Sequence, residues 1–554
     1  MMPLSAAVGS TGRGMQVGGR IAAARRRCGL TQKQLGEWLG VSAWWVDRME
    51  AGAAASDRYL PAIAKATQVD VSWLQSPASP PVAELDEPVV RGVAADAIGR
   101  ALVLCAIVLL VVVRFFTEVV PVVPRAVNFV DIPIFVALAA AAAFLQVTPC
   151  RTRRFYVRVG FASLTFLALC VLSVVVSFGR VAPAPVLVFI YGFLGPLAVY
   201  AAVYRLWPAG NTALLSRLIV GLGIVQLLVV AFVQLPRFLT SENPDVISGT
   251  FGTNAYQLVF FLLLFVALLV GIATNEPGRG VARFAPLLIL ASFVTILLAQ
   301  YRSLLVSMAV AIVVIAILLG RWIRGSVVVA VVVVLFSVTF YYVEAKLPAL
   351  KLESAASSLA SNPGTYVSGR LRVAENVFRL YGDIPTTVAV GAGPGTYSSR
   401  AWKTFANAGS TSTSNVAGGY ATALVGKSYT TDVSDKYVLP QTENGAVVQG
   451  SYAVSSPFSS YASLLAEVGV LGFAIIVGIY LVAVQRAWRM SRSAFSRAIL
   501  GDSLPPLVLA TTVAFVTLVQ MALLENWFEV TRVTFIVWAM LAVCSKESDA
   551  REQA

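Results

Sequence analysis

The chain has 554 residues, of which 58% are hydrophobic and only 13% are charged, and its mean hydropathy is +0.78. Soluble domains average about 45–50% apolar and about 25% charged residues, so this composition excludes a chain made of soluble domains alone. Basic residues outnumber acidic ones and give a formal net charge of +14. The absence of histidine removes the commonest general base and metal ligand from any site in the chain.

A short helical unit is predicted near the N-terminus. Thr31 and Gln34 form a capping box, in which each side chain can satisfy a free backbone amide at the start of a helix. Gly40 then breaks the chain, and Ser42 can cap the next helix. Helix, short glycine-containing turn and helix is the helix-turn-helix arrangement, so we expect a small soluble domain over residues 19–75.

Four stretches of this unit carry a resemblance to a known family: Gly19-Arg20-Ile21, Gly29-Leu30-Thr31-Gln32-Lys33-Gln34-Leu35, Gly40-Val41-Ser42 and Glu50-Ala51-Gly52. Over residues 19–74 they resemble the Cro/C1-type (XRE) helix-turn-helix domain. In that family the helix that follows the glycine turn enters the major groove of DNA. The resemblance implies DNA contacts from Gln32, Ser42, Trp44 and Arg48.

The recognition stretch of this unit leaves two interpretations open. It contains Trp44, Trp45 and Asp47, whereas base edges are usually read by Arg, Lys, Asn, Gln, Ser or Thr. Residues 1–100 hold eleven basic and nine acidic residues, a smaller basic excess than duplex binders carry. The domain is therefore interpreted either as a contact site for a cytoplasmic protein or as a sequence-specific DNA binder held at the membrane.

Twelve apolar segments of the remaining chain approach the length of about 20 residues with which a helix crosses the hydrocarbon core. They lie near residues 101–118, 129–147, 156–178, 184–204, 214–235, 254–274, 284–300, 303–320, 326–343, 460–483, 503–524 and 530–544. This succession predicts a polytopic helical membrane bundle, because only helices or closed barrels satisfy their backbone groups in lipid. The predicted fold class is all-α, with the small soluble helix-turn-helix domain in front of the bundle.

Charge in the short loops predicts the orientation of the bundle. If the N-terminal domain is cytoplasmic, the inward loops and their edges carry about three times as many lysines and arginines as the outward loops. Because the number of spans is even, the C-terminal tail over 546–554 is also predicted to be cytoplasmic. Residues 1–18 are expected to be flexible, and 76–99 to be a Pro/Ser-rich linker ahead of a membrane domain over 100–545.

One outward loop, residues 344–456, is far longer than the others. It contains a helical pattern near 369–381, a glycine-rich run at 391–395 and a stretch rich in Ser, Thr, Gly and Ala over 406–450. Long loops in compact folds are usually functional or disordered. We expect the first third to be ordered near the membrane and much of 406–450 to be flexible. The glycine run is better interpreted as a tight turn than as a phosphate cradle, because it lacks the lysine of a P-loop.

Motifs on the outward face carry a second resemblance. The first follows Arg237 and reads Gly249-Thr250-Phe251-Gly252-Thr253-Asn254-Ala255, and the second is Ala299-Gln300-Tyr301-Arg302-Ser303. The third combines Ser368-Gly369-Arg370-Leu371-Arg372 with Gly391-Ala392-Gly393-Pro394-Gly395-Thr396-Tyr397 in the long loop. The fourth combines Pro457-Phe458-Ser459-Ser460-Tyr461 with Glu467-Val468-Gly469. Together they resemble the O-antigen ligase / Wzy polymerase superfamily of bacterial envelope enzymes, over about residues 100–545. The resemblance implies transfer of a glycan from an undecaprenyl-diphosphate carrier to an acceptor hydroxyl outside the plasma membrane.

The chemistry implied by this resemblance assigns roles to arginines near the outer ends of the spans. The leaving group is a lipid diphosphate, and guanidinium groups bind phosphate bidentately and remain charged. Cations held where charge develops stabilise the transition state. The resemblance implies that Arg237, Arg302, Arg370 and Arg372 bind the diphosphate, and that Arg302 and Arg370 are also catalytic.

The group that activates the acceptor hydroxyl departs from the family pattern. O-antigen ligases carry a histidine in the segment that opens the tenth helix, and here that position is Phe458, which accepts no proton. Glu467 is the nearest carboxylate on the same helix and is assigned a catalytic role, with a purely structural hydrogen-bonding role as the alternative. Asp383 and Glu375 in the long loop are other acceptable bases. The missing histidine favours a polymerase-like enzyme over a ligase.

The favoured interpretation is a plasma-membrane glycosyltransferase that uses an undecaprenyl-diphosphate-linked donor and a glycan or glycolipid acceptor. No metal and no cofactor are expected, because no cluster of residues has ligand spacing. Membrane lipids surround the bundle, and DNA or a cytoplasmic protein would bind residues 19–75. The alternative is a membrane-anchored helix-turn-helix regulator or adaptor with an inactive membrane domain. A secondary transporter is disfavoured, since no inverted repeat is visible.

Overall fold

The fold is taken from a computed structural model of the chain. It describes residues 8–28, 30–52, 56–67, 69–75, 90–120, 130–144, 154–241, 246–252, 254–275, 280–299, 302–319, 375–406, 431–438, 459–496 and 504–553, with positions 122, 123, 127, 442–443 and 446–447.

The N-terminal unit consists of five helices: α1 (Val8–Arg27), α2 (Gln32–Leu39), α3 (Ala43–Glu50), α4 (Ser56–Thr67) and α5 (Val71–Gln75). Both predicted caps are confirmed. The Thr31 hydroxyl accepts from the Gln34 amide while the Gln34 side chain accepts from the Thr31 amide, and Ser42 accepts from the Trp45 amide. A separate apolar core holds the unit together, and it includes Ile21, Leu35, Val46, Met49, Leu60 and Ile63.

The membrane part begins with α6 (Val90–Arg114), which continues as a π-helical turn over Phe115–Val119. The next helices are α7 (Asp131–Phe144), α8 (Arg154–Val176), α9 (Pro183–Leu206), α10 (Thr212–Val229), α11 (Leu235–Ser241), α12 (Ala255–Asn275), α13 (Ala285–Leu298) and α14 (Arg302–Leu319). A π-helical turn, Val230–Gln234, joins α10 to α11, and a 3₁₀ turn, Gly280–Arg283, precedes α13.

The segment that was predicted as a long loop supplies several short elements. Residues 375–383 are helical. They are followed by α15 (Thr387–Val390), α16 (Arg400–Ala406), α17 (Asp432–Tyr437) and two antiparallel two-residue strands, β1 (Thr442–Glu443) and β2 (Ala446–Val447). The bundle then closes with α18 (Ser460–Ser496), α19 (Leu504–Leu524) and α20 (Thr531–Gln553). Most of the stretches expected to be ordered (344–381) or flexible (406–450) lie outside the described residues.

Seven helical stretches in the described part of the chain are long and apolar enough to cross a membrane. They are Asp96–Val119, Phe155–Val176, Pro183–Leu206, Thr212–Ser241, Ala255–Asn275, Ser460–Ser496 and Leu504–Leu524, and Asp131–Phe144 and Ala285–Leu298 are shorter apolar helices. Eleven of the twelve predicted segments coincide with helices, and the ninth, 326–343, lies outside the described residues. The predicted class, an all-α membrane bundle with a helix-turn-helix unit, is confirmed.

The centre of the bundle is formed by α12, which is apolar on every side. Its residues from Leu258 to Val270 are all buried. A helix that is hydrophobic all round is expected inside a bundle. It packs against α13 and α19, while α9 packs along α20 and α18 packs along α19. Hydrogen bonds from Ser460 to Glu525 and from Arg400 to Tyr256 and Asn526 bring the first turns of α12 and α18 together with the α19–α20 loop. We call this end of the bundle the mouth.

Three predicted boundaries require correction. α1 begins at Val8, so it extends into the stretch expected to be a flexible N-terminus. α6 begins at Val90, so residues 90–99 are helical and are not linker. The predicted tail 546–554 is largely the end of α20, and its polar residues are held by the bundle. Asp549 accepts from Tyr204 at 2.7 Å and from Arg486 at 3.0 Å, so these buried charges are paired.

Candidate functional site

The glycine-rich run is a tight turn that fills a break in α18. Gly469 interrupts this helix with φ 66° and ψ −173°. The carbonyls freed by the break accept from the turn, with 2.8 Å between Ala392 N and Ala466 O and 3.1 Å between Gly393 N and Glu467 O. Interrupted helices are tolerated at membrane depth only where other groups satisfy the freed backbone. The turn predicted at 391–395 is therefore confirmed, and it completes a helix end.

The Glu467 carboxylate fixes the rest of the turn. Its Oε2 accepts from the amide of Gly395 at 2.5 Å, and its Oε1 accepts from the amides of Tyr397 and Ser399 at 3.0 Å each. The side chain is fully buried. Both oxygens are thus engaged by the backbone of the turn. The geometry favours the structural alternative for Glu467 over the catalytic role that the sequence suggested.

The anchored segment carries Arg400 into the mouth. Its Nε donates to the carbonyl of Asn526 at 3.0 Å, and its Nη1 donates to the Tyr256 hydroxyl at 3.4 Å. The guanidinium also lies over the Tyr256 ring, 5.6 Å from the centroid. Asn526 in turn donates to the carbonyl of Ser398 at 2.9 Å, which ties the same segment to the α19–α20 loop. Arg400 therefore has a defined position at the mouth.

Two further guanidiniums lie within electrostatic range of Tyr256. Arg114 ends α6 and makes a 3.7 Å ion pair with Glu118, and its side chain is 25% exposed. Arg532, on the first turn of α20, is buried and interacts with Arg114, Asp131 and Tyr256. Three arginines from distant parts of the chain thus act electrostatically on one tyrosine. Glu118 and Asp131 offset part of this positive charge, and an anionic ligand would offset more of it.

Titratable groups beside Arg400 are perturbed. Glu529 accepts from the Arg400 amide through Oε2 at 2.9 Å, and the described residues supply no hydrogen-bond partner to its Oε1. Burial and the nearby Glu467 raise the pKa of Glu529 to about 8. Burial and the adjacent Arg400 lower the pKa of Lys403, one turn further along α16, to about 8. Both groups therefore change charge near neutral pH.

A polar network holds the motif that precedes α12. The Gln226 side chain accepts from the amide of Thr250 at 2.7 Å, and the Gln234 side chain accepts from the amide of Gly249 at 2.7 Å. The Thr250 hydroxyl donates to the carbonyl of Val111 at 2.7 Å. A Cβ at Gly252 would collide with the carboxylate of Glu118. This motif therefore packs directly against the last turns of the first span, next to Arg114.

The arginines proposed from the sequence are not seen to converge. Arg237 lies on α11, is exposed, and donates to the carbonyl of Val119 at 3.5 Å. Arg302 begins α14, but its side chain lies outside the described residues. Arg370 and Arg372 also lie outside them. Sequence reasoning missed Arg114, Arg400 and Arg532. A position at the end of an apolar span is a signal that could have identified Arg114 and Arg532.

The proposed bases in the long loop are paired or outside the described residues. Asp383 accepts from Lys436 Nζ and from the Tyr437 hydroxyl, both at 2.6 Å. These hydrogen bonds, that of Lys436 first, hold the pKa of Asp383 below its usual value and make it a weak base. Glu375 pairs with Arg379 at 2.7 Å on an exposed helix face. Phe458 lies outside the described residues.

The N-terminal unit has the backbone geometry of two helices joined by a tight turn. Gly40 ends α2 with φ 69°, and a Cβ at Gly36 would collide with the carbonyl of Val41. The left-handed conformation favours glycine at position 40, and the close approach of the following turn requires glycine at position 36. A family model described as a helix-turn-helix domain matches residues 16–74. The N-terminal unit is a helix-turn-helix domain. A comparison of the chain with curated proteins gives no match.

The residues of the helix-turn-helix domain that were expected to contact DNA are engaged within the domain. The side-chain amide of Gln32 donates to Asp47 and to Glu50, at 3.0 Å each. The Ser42 hydroxyl caps α3. The Arg48 guanidinium lies over the Trp44 ring, 5.1 Å from its centroid.

The outer face of the helix-turn-helix domain is aromatic. Trp44 is 59% exposed, Trp38 is 41% exposed and Trp45 is 39% exposed. The Trp44 and Trp45 rings meet edge to face, with 5.9 Å between centroids. Around Gln32, a predicted DNA contact, the exposed carboxylate of Asp47 lies where duplex binding needs a cationic surface, and Glu50 is paired with Arg25. A face of this composition is typical of protein interfaces.

Proposed function

We propose that this protein is a membrane glycosyltransferase that transfers or polymerises undecaprenyl-diphosphate-linked glycan units. The observation that carries the proposal is that separate motif-bearing segments meet at one end of the bundle. The turn over residues 391–400 is docked on α18, and Arg400 reaches Tyr256 at the start of α12. Two further arginines, Arg114 and Arg532, lie beside them.

The chemistry of glycan transfer explains why such a cluster of cations is useful. When the bond between the sugar C1 and the phosphate oxygen breaks, the diphosphate leaves with the electron pair. Negative charge therefore grows on its oxygens in the transition state. Guanidiniums already fixed by the protein stabilise this charge without having to reorganise. Arg400 is fixed in this way, because its Nε and Nη1 are each held by a partner.

The arginines implied by the resemblance remain part of the proposal. Successive spans joined by short connections run in opposite directions, so we propose that α14 begins, at Arg302, at the same end as α12. Arg302, Arg370, Arg372 and Arg237 would complete the diphosphate site around Arg400. We further propose that the mouth faces outward from a bacterial plasma membrane, with both termini in the cytoplasm. Phe458 in place of histidine favours polymerisation of repeat units over transfer to a lipid acceptor.

The proposal is tested by the glycolipids of a deletion strain complemented with variants. A strain lacking the protein should accumulate undecaprenyl-diphosphate-linked units, and the wild-type chain should clear them. Arg400→Ala, Arg302→Ala and Arg370→Ala should each fail to clear them. Arg489→Ala is the matched control, since Arg489 is exposed on α18 far from the mouth. An unchanged glycolipid profile in the deletion strain, together with altered transcripts, would favour a regulator instead.

A second proposal concerns the helix-turn-helix domain, for which we favour contact with a cytoplasmic protein over duplex binding. The specific observation is that Asp47 and Glu50 both accept from Gln32. Phosphate oxygens approaching Gln32 would meet the exposed carboxylate of Asp47, whereas Glu50 is paired with Arg25. The exposed Trp44 and its stacked Arg48 supply the residue types that dominate protein interfaces.

Binding of the full-length chain to duplex DNA tests this second proposal. We expect weak binding that shows no sequence preference and disappears with rising salt. A photo-crosslinking residue at position 44 should form an adduct with a protein in cells. The same residue at Lys65, which is exposed on α4, serves as the control. Sequence-specific DNA binding that is lost on Gln32→Ala or Arg48→Ala would contradict protein contact.

A further inference from the structure

Tyr256 has an unusual hydrogen-bonding environment at the mouth. Its hydroxyl oxygen accepts from Arg400 Nη1 at 3.4 Å and from Gln257 Nε2 at 3.1 Å. It is the second residue of α12, so it lies at the positive end of the helix dipole. Its side chain remains partly exposed, and its ring is fixed edge to face against Trp527, with 5.6 Å between centroids. The phenol is thus both accessible and held in place.

The charges around Tyr256 favour an anionic oxygen at this position. The charged residues that face it or its immediate neighbours from the surrounding elements are Arg114, Glu118, Arg400, Glu525, Glu529 and Arg532. Of the three arginines, Arg400 donates a hydrogen bond to the phenol, and Arg114 and Arg532 act on it electrostatically. Of the three carboxylates, Glu118 pairs with Arg114 and Glu529 accepts from the Arg400 amide. Donors and cations that stabilise an anion favour ionisation of the corresponding acid, so they raise the share of the phenolate, the form that can accept a proton.

We propose that Tyr256, as the phenolate, accepts the proton of the acceptor hydroxyl during glycan transfer. This inference rests on the proposed function. In the step, the acceptor oxygen forms a bond to the sugar C1 while the bond from C1 to the diphosphate oxygen breaks. The acceptor proton passes to the Tyr256 oxygen, and the leaving diphosphate takes the electron pair towards Arg400. The phenol then releases its proton to water before the next turnover.

Other groups are less suited to this role. Both oxygens of Glu467 are engaged by three backbone amides, and Asp383 is held by Lys436 and Tyr437. Glu529 is only 6% exposed, so an acceptor hydroxyl does not reach it without a rearrangement. Tyr256 combines access with two donors to its oxygen. A base must lie within hydrogen-bond reach of the proton that it removes.

Turnover of the purified full-length protein in nanodiscs tests the role of Tyr256. The probes are an undecaprenyl-diphosphate-linked oligosaccharide as donor and the same glycolipid as acceptor. Tyr256→Phe keeps the ring and its packing but removes the partner of Arg400 Nη1, and it should lower kcat by about 100-fold, the lower range for general-base catalysis. Tyr156→Phe is the control, because Tyr156 lies on α8 near the end of the bundle opposite the mouth.

The pH profile separates a proton acceptor from a structural residue. Difluorotyrosine at position 256 acidifies the phenol, so the acid limb of kcat should move to lower pH. An acid limb that stays in place, a Tyr256→Phe variant with full activity, or movement of the basic limb instead would overturn the role of Tyr256. A wild-type protein that transfers no glycan would overturn the proposed function, and the role of Tyr256 with it. An active wild type whose profile does not move would overturn only the role of Tyr256.

Discussion

Glu467 and Gly395 are joined by a 2.5 Å hydrogen bond from the glycine amide to the carboxylate, although 72 residues separate them in the chain. The glutamate lies just before the break in α18, and the glycine lies in the turn that fills the break. Through this bond and two similar ones, one side chain sets the position of the segment that ends at Arg400. The arrangement gives Glu467 a structural role next to the site.

Replacing Glu467 should release the turn. Glu467→Ala leaves three buried amides without an acceptor, and each unsatisfied group costs about 1–3 kcal/mol. We expect a loss of at least about 3 kcal/mol in the free energy of unfolding, with loss of glycan transfer. Glu467→Gln keeps one acceptor oxygen and should fall between the wild type and the alanine variant. Thermal unfolding in detergent measures the order of stability of the three proteins. Equal stability of the three proteins would show that the carboxylate does not anchor the turn.

The break in α18 requires glycine at position 469. The residue has φ 66°, and a Cβ there would collide with the carbonyl of Ala389. Backbone with this φ and a ψ near 180° is essentially restricted to glycine and costs other residues about 1–3 kcal/mol. Gly469→Ala should therefore destabilise the protein and disturb the turn. Gly478→Ala is the control in the same helix, because nothing lies within 4 Å of a Cβ at Gly478. Similar melting temperatures for the two variants would contradict this account.

Lysine should not replace Arg400. The guanidinium reaches the carbonyl of Asn526 and the hydroxyl of Tyr256 at once, and a single ammonium group does not reproduce that fork. We expect Arg400→Lys to lower kcat at least about 10-fold in the nanodisc assay while the protein stays folded. Arg489→Lys should leave kcat unchanged. Full activity of Arg400→Lys would show that charge without geometry is sufficient at this position.

Glu529 should make the stability of the protein depend on pH. Its folded-state pKa of about 8 lies above the value of 4.5 for an unperturbed glutamate, so between these values the folded state holds a proton that the unfolded state has released. The stabilisation that this proton contributes is fully present below the unfolded-state pKa of 4.5, and it is lost as pH rises to the folded-state pKa of about 8. Glu529→Gln removes the titration. The melting temperature of Glu529→Gln minus that of the wild type should therefore increase as pH rises from 5 to 8.5. A difference that is constant or shrinks with pH would contradict the assignment.

Caps, tight turns and spans were predicted correctly, because residues close together in the sequence determine them. The capping box of Thr31 and Gln34 forms as expected, because both partners lie within one turn of a helix. The tight turn at 391–395 also follows from local backbone preferences, since its glycines adopt positive φ. The spans follow from hydropathy, which depends on composition along one segment. Boundaries were less accurate, as at Val90, because a helix continues into polar sequence wherever it finds partners.

The sequence by itself determined the class of this protein: an all-α membrane bundle with a helix-turn-helix domain in front. Apolar length and periodicity follow from the solvent that each segment must face, and that information is local. Only the tertiary structure decided which charged residues meet. Arg114, Arg400 and Arg532 belong to three separate segments, and nothing in their local sequences encodes the shared neighbour Tyr256. The side chain of Glu467 looked catalytic until the fold supplied three amides to it, because hydrogen-bond partners are set by packing between distant segments.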